Sequence, residues 1–236
     1  SSRLVIGGVL GRRMQHSATL AELEGGDFMC AWFAGLWEHE ADMAIYTARL
    51  PRGGSRWERP QAVLEQSKAG PVTEPLWNPV LFQIPGGDLL LFYKVGLSVW
   101  VWKGWVMRSS DGGRTWGGHM PLPRGFYGPS KNKPLLLPNG TILAGSSIES
   151  KGGGRVGFSW TSHIEESKDG GHTWSKQPSV RFRGHAIQPS IWMGGDGHVR
   201  MVARTRSTVL KERKVMLAVG DESGRGWSRA RLVALP

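Results

Sequence analysis

SSDGGRTW (Ser109–Trp116) and SKDGGHTW (Ser167–Trp174) agree at Ser, Asp, both glycines, Thr and Trp. A step of about 55 residues back from the first octet reaches LPRGGSRW (Leu50–Trp57). The same step forward from the second reaches GDESGRGW (Gly220–Trp227), where the middle glycine and the tryptophan survive and the octet's aspartate does not. A second landmark recurs in step with the first. It is a turn glycine followed by an apolar run: Gly26 before DFMCAWF, Gly87 before DLLLFYK, Gly140 before TILAGSS and Gly197 before HVRMVAR.

Short runs rich in Val, Ile, Leu, Trp and Tyr lie between the landmarks, among them ATLAEL, PVLFQI, AIYTARL, WVMRSS and VMLAVG. They are bounded by Gly, Pro, Asn and Asp, which predicts strands. Each unit reads as strand A, glycine turn, strand B, loop, strand C, octet turn and strand D. Four antiparallel strands repeated on this scale are the signature of a β-propeller blade. The expected fold is therefore all-β: a propeller of about four four-stranded blades, in one domain over 1–236 with units near 10–65, 72–124, 127–182 and 184–236. In each of the two intact octets a carboxylate accepts turn N–H groups, glycines supply positive φ, and a tryptophan plugs the blade, so Asp111 and Asp169 read as turn holders. Trp57, Trp116, Trp174 and Trp227 are expected at equivalent buried places.

Composition agrees with a packed β protein. The 236 residues are 39% hydrophobic and 21% charged, a globular profile, and the 34 glycines and 12 tryptophans suit repeated tight turns with aromatic plugs. Every apolar stretch is broken well before the length of a membrane helix, including Leu97–Met107, which Lys103 interrupts. Cys30 is the single cysteine, so no internal disulfide forms, and no Cys/His cluster has zinc-ligand spacing; no metal or cofactor is expected. Lys and Arg outnumber Asp and Glu for a net charge of +11. The basic residues are scattered over turns and outer strands rather than gathered in one stripe, which argues against nucleic acid and fits an anionic glycan better. The chain starts Ser-Ser-Arg with no signal-peptide core, the look of a processed, truncated or recombinant chain, and leaves the compartment open.

The two intact octets resemble the Asp-boxes, or BNR repeats, of the sialidase-like propeller family. HSATLAEL, AWFAGLWE, DMAIYTARL, WNPVLFQ, YGPSKNKPLLLPNGTILAGSSIE, AIQPSIW and GHVRMVARTR are similar to its exo-α-sialidase-like group, over His16 to Arg206. The resemblance implies six blades, an arginine triad gripping a substrate carboxylate, an Asp acid/base and a Tyr activated by Glu. Arg204 matches the second triad arginine. His16, in His16-Ser17-Ala18, stands where the first is expected, and Gln188, in Ile187-Gln188-Pro189-Ser190, stands where the Glu is expected. The blades for Tyr and the third arginine fall after unit four, so the chain is expected to be part of a longer propeller. A four-blade arc is expected to self-associate through open blade edges, with Arg3 to Val9 a candidate extra strand.

Strand order supplies a separate argument. If the glycine turns join A to B and the octets join C to D, both turn sets lie on one face. Starts of A and ends of B then lie on the other, the candidate pocket face. Strand A starts present His16, Asn78, Lys131, Asn132, Lys133 and Gln188; strand B ends present Trp37 with Glu38, Lys94, Glu149, and Arg204 with Arg206. His16, Glu38, Asp42 and Arg204 are the catalytic candidates, Glu38 and Asp42 lying in the first B-to-C loop, where the resemblance implies the acid/base. Trp37, Asn78, Lys131, Asn132, Lys133, Glu149, Gln188 and Arg206 are candidate substrate contacts, each with a structural alternative such as a cap, an ion pair or a blade plug. Glu165, within strand C, reads as structural. Asn-Gly in the sequon Asn139-Gly140-Thr141 is explained by turn chemistry. The expected function is hydrolase-type action on acidic or neutral glycans. The rivals are a lyase, with His16 handling the proton α to a uronate carboxyl group while Arg204 and Lys131 neutralise the enolate, and a glycan-binding propeller without catalysis.

Overall fold

The computed structural model describes residues 12–38, 40–65, 74–151, 157, 159–206 and 214–234. Among them every regular element is a strand. Four four-stranded antiparallel sheets follow one another along the chain. The first comprises β1 (Met14–Glu22), β2 (Phe28–Gly35), β3 (Ala44–Leu50) and β4 (Gln61–Leu64). The second comprises β5 (Leu76–Gln83), β6 (Leu89–Val95), β7 (Lys103–Ser109) and β8 (Gly117–Pro121). The third comprises β9 (Leu135–Leu136), β10 (Ile142–Ser150), β11 (Ser159–Ser167) and β12 (Ser175–Lys176). The fourth comprises β13 (Ala186–Met193), β14 (Val199–Thr205), β15 (Val215–Val219) and β16 (Arg231–Val233). Each sheet is a blade, and the fold is a β-propeller. The chain divides into two compact units, Ser1–Leu122 and Pro123–Pro236, each holding two blades. The candidate strand Arg3 to Val9 lies outside the described residues.

The A-to-B turns repeat bond for bond. Leu23 N donates to Asp27 O and Gly26 N to Leu23 O; Ile84 with Asp88 and Gly87, Leu137 with Thr141 and Gly140, and Gly194 with His198 and Gly197 do the same at 2.8–3.1 Å. Gly140 (φ 83°) and Gly197 (φ 80°) take the left-handed backbone these turns require. Asn139 Oδ1 accepts Thr141 N at 3.0 Å, so this asparagine serves the turn.

The octets close the C-to-D turns. Asp111 accepts Arg114 N (3.0 Å), Thr115 N (2.9 Å) and Thr115 Oγ1 (2.6 Å), and Ser109 Oγ donates to it at 2.6 Å. The Ser109 and Thr115 bonds hold its carboxyl well below the ordinary 3.8. Asp169 repeats the pattern with Ser167, His172 and Thr173. In the fourth blade the aspartate is displaced and not lost: Asp221, one position early in the octet, accepts Ser223 N and Arg225 N at 2.9 Å.

Two features differ from the sequence reading. The four octet tryptophans are half-buried, not buried, because they precede the outermost strands, which are largely exposed. Trp57 packs on the core of its own blade and Trp227 on that of the second unit. The octets also do more than lock their own hairpins. Arg49 of the first blade donates to Gly112 O of the second, and a Cβ on Gly113 (φ 83°) would sit 2.6 Å from Met29 Cε. In the second unit Gly224 (φ 70°) lies against Leu143 of the third blade. Octet glycines thus give close approach to the preceding blade as well as positive φ.

Within the first unit β5 packs on β1, β2 and β3, and within the second β13 packs on β9, β10 and β11. β2 and β6 are buried along nearly their whole length, and Cys30 on β2 has its thiol pushed up to about 11 by burial. In the third blade a fully buried His163 contacts Glu165 at 3.0 Å, and Glu165 accepts Tyr127 N and Gly128 N, anchoring the segment that leads into that blade.

Candidate functional site

Strand A carries the same irregularity in three blades. Ser17 (φ 53°), Asn78 (φ 43°) and Gln188 (φ 55°) have left-handed backbone. Each sits in a register shift, between His16 and Thr19, Trp77 and Val80, and Ile187 and Ser190. A bulge here bends the strand and re-aims the side chains around it. Pro79 and Pro189, the next residues in two cases, lack the N–H that an unbroken ladder would use. Ser17, and not His16, therefore occupies the place of Asn78 and Gln188, one residue from the alignment read off the sequence. His16 corresponds to Trp77 and Ile187. Their cross-strand partners are Phe33, Lys94 and Arg204, so Lys94 and Arg204 are equivalent positions on strand B.

In the first unit, the His16 ring packs edge-on against Phe33 at 5.6 Å, and its Nδ1 lies 3.5 Å from Glu38 Oε1. Both side chains are about half exposed. Trp37 next to Glu38 is 62% exposed. Asp42 is engaged differently. Its Oδ2 accepts Arg12 Nη1 at 2.6 Å and Leu36 N at 2.9 Å, while Arg12 also donates to Asp42 O and Tyr46 Oη. Arg12 and Asp42 together clamp the β2–β3 loop that carries Glu38. Asn78 is buried and accepts Ser17 Oγ at 3.0 Å, joining two bulges, and Lys94 is wholly buried.

In the second unit, Arg204 at the end of β14 is exposed and places its guanidinium carbon 5.9 Å from the centroid of Trp160. Trp160 pairs across the strands with Glu149. Burial pushes the half-buried Glu149 carboxyl up while Arg204 pulls it down, which places the two charges in mutual range. Lys131 and Asn132 are half-buried in the segment before β9; Lys133 is exposed by area, yet desolvation lowers it. Asn132 Nδ2 donates to Gln188 O at 2.9 Å, and Ser147 Oγ accepts Gln188 N at 3.3 Å, so both pin the fourth blade's bulge. Arg206 is exposed and its backbone N donates to His185 O.

The first unit thus brings His16 and Glu38 together, leaves Trp37 exposed, and commits Asp42 and Asn78 to hydrogen bonds; the second brings Arg204 and Glu149 together and commits Asn132 to the bulge. Sequence reasoning did not single out Arg12 or Trp160. Arg12 gave no signal, since its partner is 30 residues away, whereas Trp160 was readable only once β10–β11 register put it opposite Glu149. Among the described residues no three His, Cys, Asp or Glu side chains converge on a metal site, and no helix is long and apolar enough to cross a membrane.

The BNR repeat-like domain model matches residues 26–236. The chain belongs to the BNR repeat-like domain family. No curated relative matches by sequence. Among solved structures, a protein of unknown function from Dyadobacter fermentans is 16% identical, with 94% of this chain and 69% of that one covered and a TM-score of 0.78. NanB sialidase from Streptococcus pneumoniae is 13% identical, with 98% and 54% covered and a TM-score of 0.72. An α-L-arabinanase from Penicillium chrysogenum, complexed with arabinobiose, is 15% identical, with 99% and 70% covered and a TM-score of 0.63. At these identities the likeness is one of fold: this BNR-repeat chain is a sialidase-like propeller that spans about half the length of the sialidase it matches.

Proposed function

We propose that this BNR-repeat propeller acts on acidic glycans in the manner of a glycoside hydrolase, with Arg204 holding the substrate carboxylate. The observation that carries the reading is the cluster of exposed Arg204, Trp160 beside it and a Glu149 carboxyl raised by burial. A guanidinium fork matches a planar carboxylate in two parallel bonds, and an indole face suits the apolar face of a sugar ring. Glu149, kept protonated to higher pH than an open carboxyl, is the donor for the glycosidic oxygen. As that C–O bond breaks the proton moves to the leaving oxygen, and water completes the hydrolysis. The family match and the glycosidase names of two structural neighbours point the same way. His16 and Glu38 form a second acid/base pair in the first unit, with Trp37 beside it as a sugar-stacking surface.

The test is incubation of the protein with 3′-sialyllactose and with oligogalacturonate. Released monosaccharide supports hydrolysis; a new unsaturated uronate absorbance replaces that reading with elimination; binding without turnover makes the chain a glycan-binding propeller. Arg204→Ala is expected to weaken binding of the acidic ligand about ten- to a hundredfold, the equivalent of roughly 1.5–3 kcal/mol for hydrogen bonds to a charged group. Loss of turnover as pH rises, abolished in Glu149→Gln, is the signature of the protonated carboxyl.

A further inference from the structure

A cavity of about 760 Å³ opens in the second unit, away from the Arg204 cluster. One wall is the connection from β12 to β13, with Arg181, Phe182 and Arg183; the other is the fourth blade's octet turn and the chain leaving it, with Arg225, Trp227 and Arg229. The octet turn follows the end of β15, while Arg204 pairs with Val215 at its start, so the length of that strand, about 16 Å at 3.3 Å per residue, separates the two places.

The cavity is a built feature. Ala230 N donates to Arg181 O at 2.9 Å across the two walls, and Trp227 Nε1 donates to Gln177 Oε1 at 3.2 Å. Arg225 bonds Glu166, which is nearly buried and also accepts Ser175 and Gln177. A Cβ on Gly220 would lie 3.2 Å from the Trp227 ring, so glycine there lets the indole lie against the backbone. The six lining side chains named include four arginines and no acid. Glu166 neutralises one, and for Arg181, Arg183 and Arg229 no ion pair is formed among the described residues. Arg181, Arg183 and Arg229 are exposed to solvent around a concave space that also holds two half-buried aromatic rings, so an anion entering it meets several guanidinium groups.

We infer that this cavity is a second binding site, for a short acidic oligosaccharide bearing carboxylate or sulfate groups. All its cations are arginines, whose planar forks match both groups bidentately. Phe182 and Trp227 supply the apolar faces on which sugar rings stack. The volume falls within the roughly 300–1,000 Å³ of sites that enclose a small ligand. Concave, and lined by only two short stretches of chain, it suits the end or a short run of a chain rather than a long nucleic-acid track. The choice of a glycan rests on the proposed function; the existence of an anion site here does not.

The test is titration calorimetry of the intact protein with a heparin tetrasaccharide, an oligogalacturonate of the same length and a thymidine tetranucleotide. Each is run on the wild type, Arg181→Gln/Arg229→Gln, Arg204→Ala and a control pair on exposed sites, Arg124→Ala/Lys168→Ala. The expected result is a tenfold or greater loss of oligosaccharide affinity in Arg181→Gln/Arg229→Gln, with Arg204→Ala and the control pair retaining the cavity's binding. Tighter binding of the heparin fragment shows that sulfates add to recognition beyond the carboxylates that both ligands carry, and equal or tighter binding of oligogalacturonate identifies carboxylate as sufficient. Unchanged melting of each variant excludes misfolding, and if the double variant melts early, Trp227→Phe and the conservative Arg229→Lys are read in its place. Oligosaccharide binding lost only in Arg204→Ala, equal loss in the control pair, no binding to any ligand, or preference for the tetranucleotide overturns the inference. The first of these leaves the proposed function standing.

Discussion

Gln188 holds a left-handed backbone (φ 55°) without being glycine, one residue before a proline, and its carbonyl and N–H are pinned by Asn132 and Ser147. That conformation costs an L residue about 1–2 kcal/mol, and β-branching makes it worse. Gln188→Gly is expected to hold or raise the urea midpoint. Gln188→Val is expected to lower stability by about 1–2 kcal/mol, and because the bulge sits beside the Arg204 strand, to disturb acidic-ligand binding as well. His16 is the opposite case. It is half exposed and its contact with Glu38 is an exposed pair, so His16→Ala is expected to change stability by less than about 0.5 kcal/mol. Any fall in turnover that accompanies unchanged melting is then chemical in origin.

At the scale of the element, the octet turn is the unit of stability. Asp111 is held low by its bonds from Ser109 and Thr115, and Asp169, against the opposing effect of burial, by those from Thr173, Ser167 and His172. A folded carboxyl lower than its unfolded value contributes fully above about pH 4 and progressively less as pH falls through the folded value. Thermal midpoints are therefore expected to drop between about pH 4 and pH 2, and Asp111→Asn/Asp169→Asn to start lower at neutral pH and fall less steeply over that window. Half-burial of Trp174 sets its truncation below the cost of a fully buried ring: Trp174→Ala is expected to lose about 1–3 kcal/mol in denaturant unfolding rather than 3–5. Gly224→Ala meets both a positive φ and the Leu143 side chain of the neighbouring blade, and is expected to cost about 2 kcal/mol.

Across the whole molecule, burial falls away toward the fourth strand of each sheet. β2 and β6 are enclosed, with Leu89 to Tyr93 wholly buried, while β8 is exposed throughout and β12 and β16 are largely exposed. Native-state hydrogen exchange is expected to follow that gradient, with amides of β2 and β6 slowest and those of the fourth strands fastest. Faster exchange in β6 than in β8 would contradict it. The net charge of +11 adds a general attraction to polyanions that salt screens, so binding at the Arg204 cluster and at the arginine cavity is to be compared at fixed ionic strength.

Much of this was legible in the residues alone. The octets, the turn glycines and the apolar runs specify four-stranded blades because each acts within about eight residues: an aspartate caps the N–H groups that follow it, and glycine alone relaxes at positive φ. The polar and cationic ends of strands A and B, Arg204 among them, could be placed by strand order. What needed the tertiary structure was everything set by register and burial. The bulge moved Ser17 into the place assigned to His16. Arg12 captured Asp42 from 30 residues away, and the β10–β11 pairing set Trp160 opposite Glu149. The arginine cavity joined two stretches of chain, 177–183 and 225–229, that no local pattern connects. Local chemistry is written in neighbouring residues, whereas desolvation and charge proximity are properties of space, and the chain acquires them only when distant segments pack.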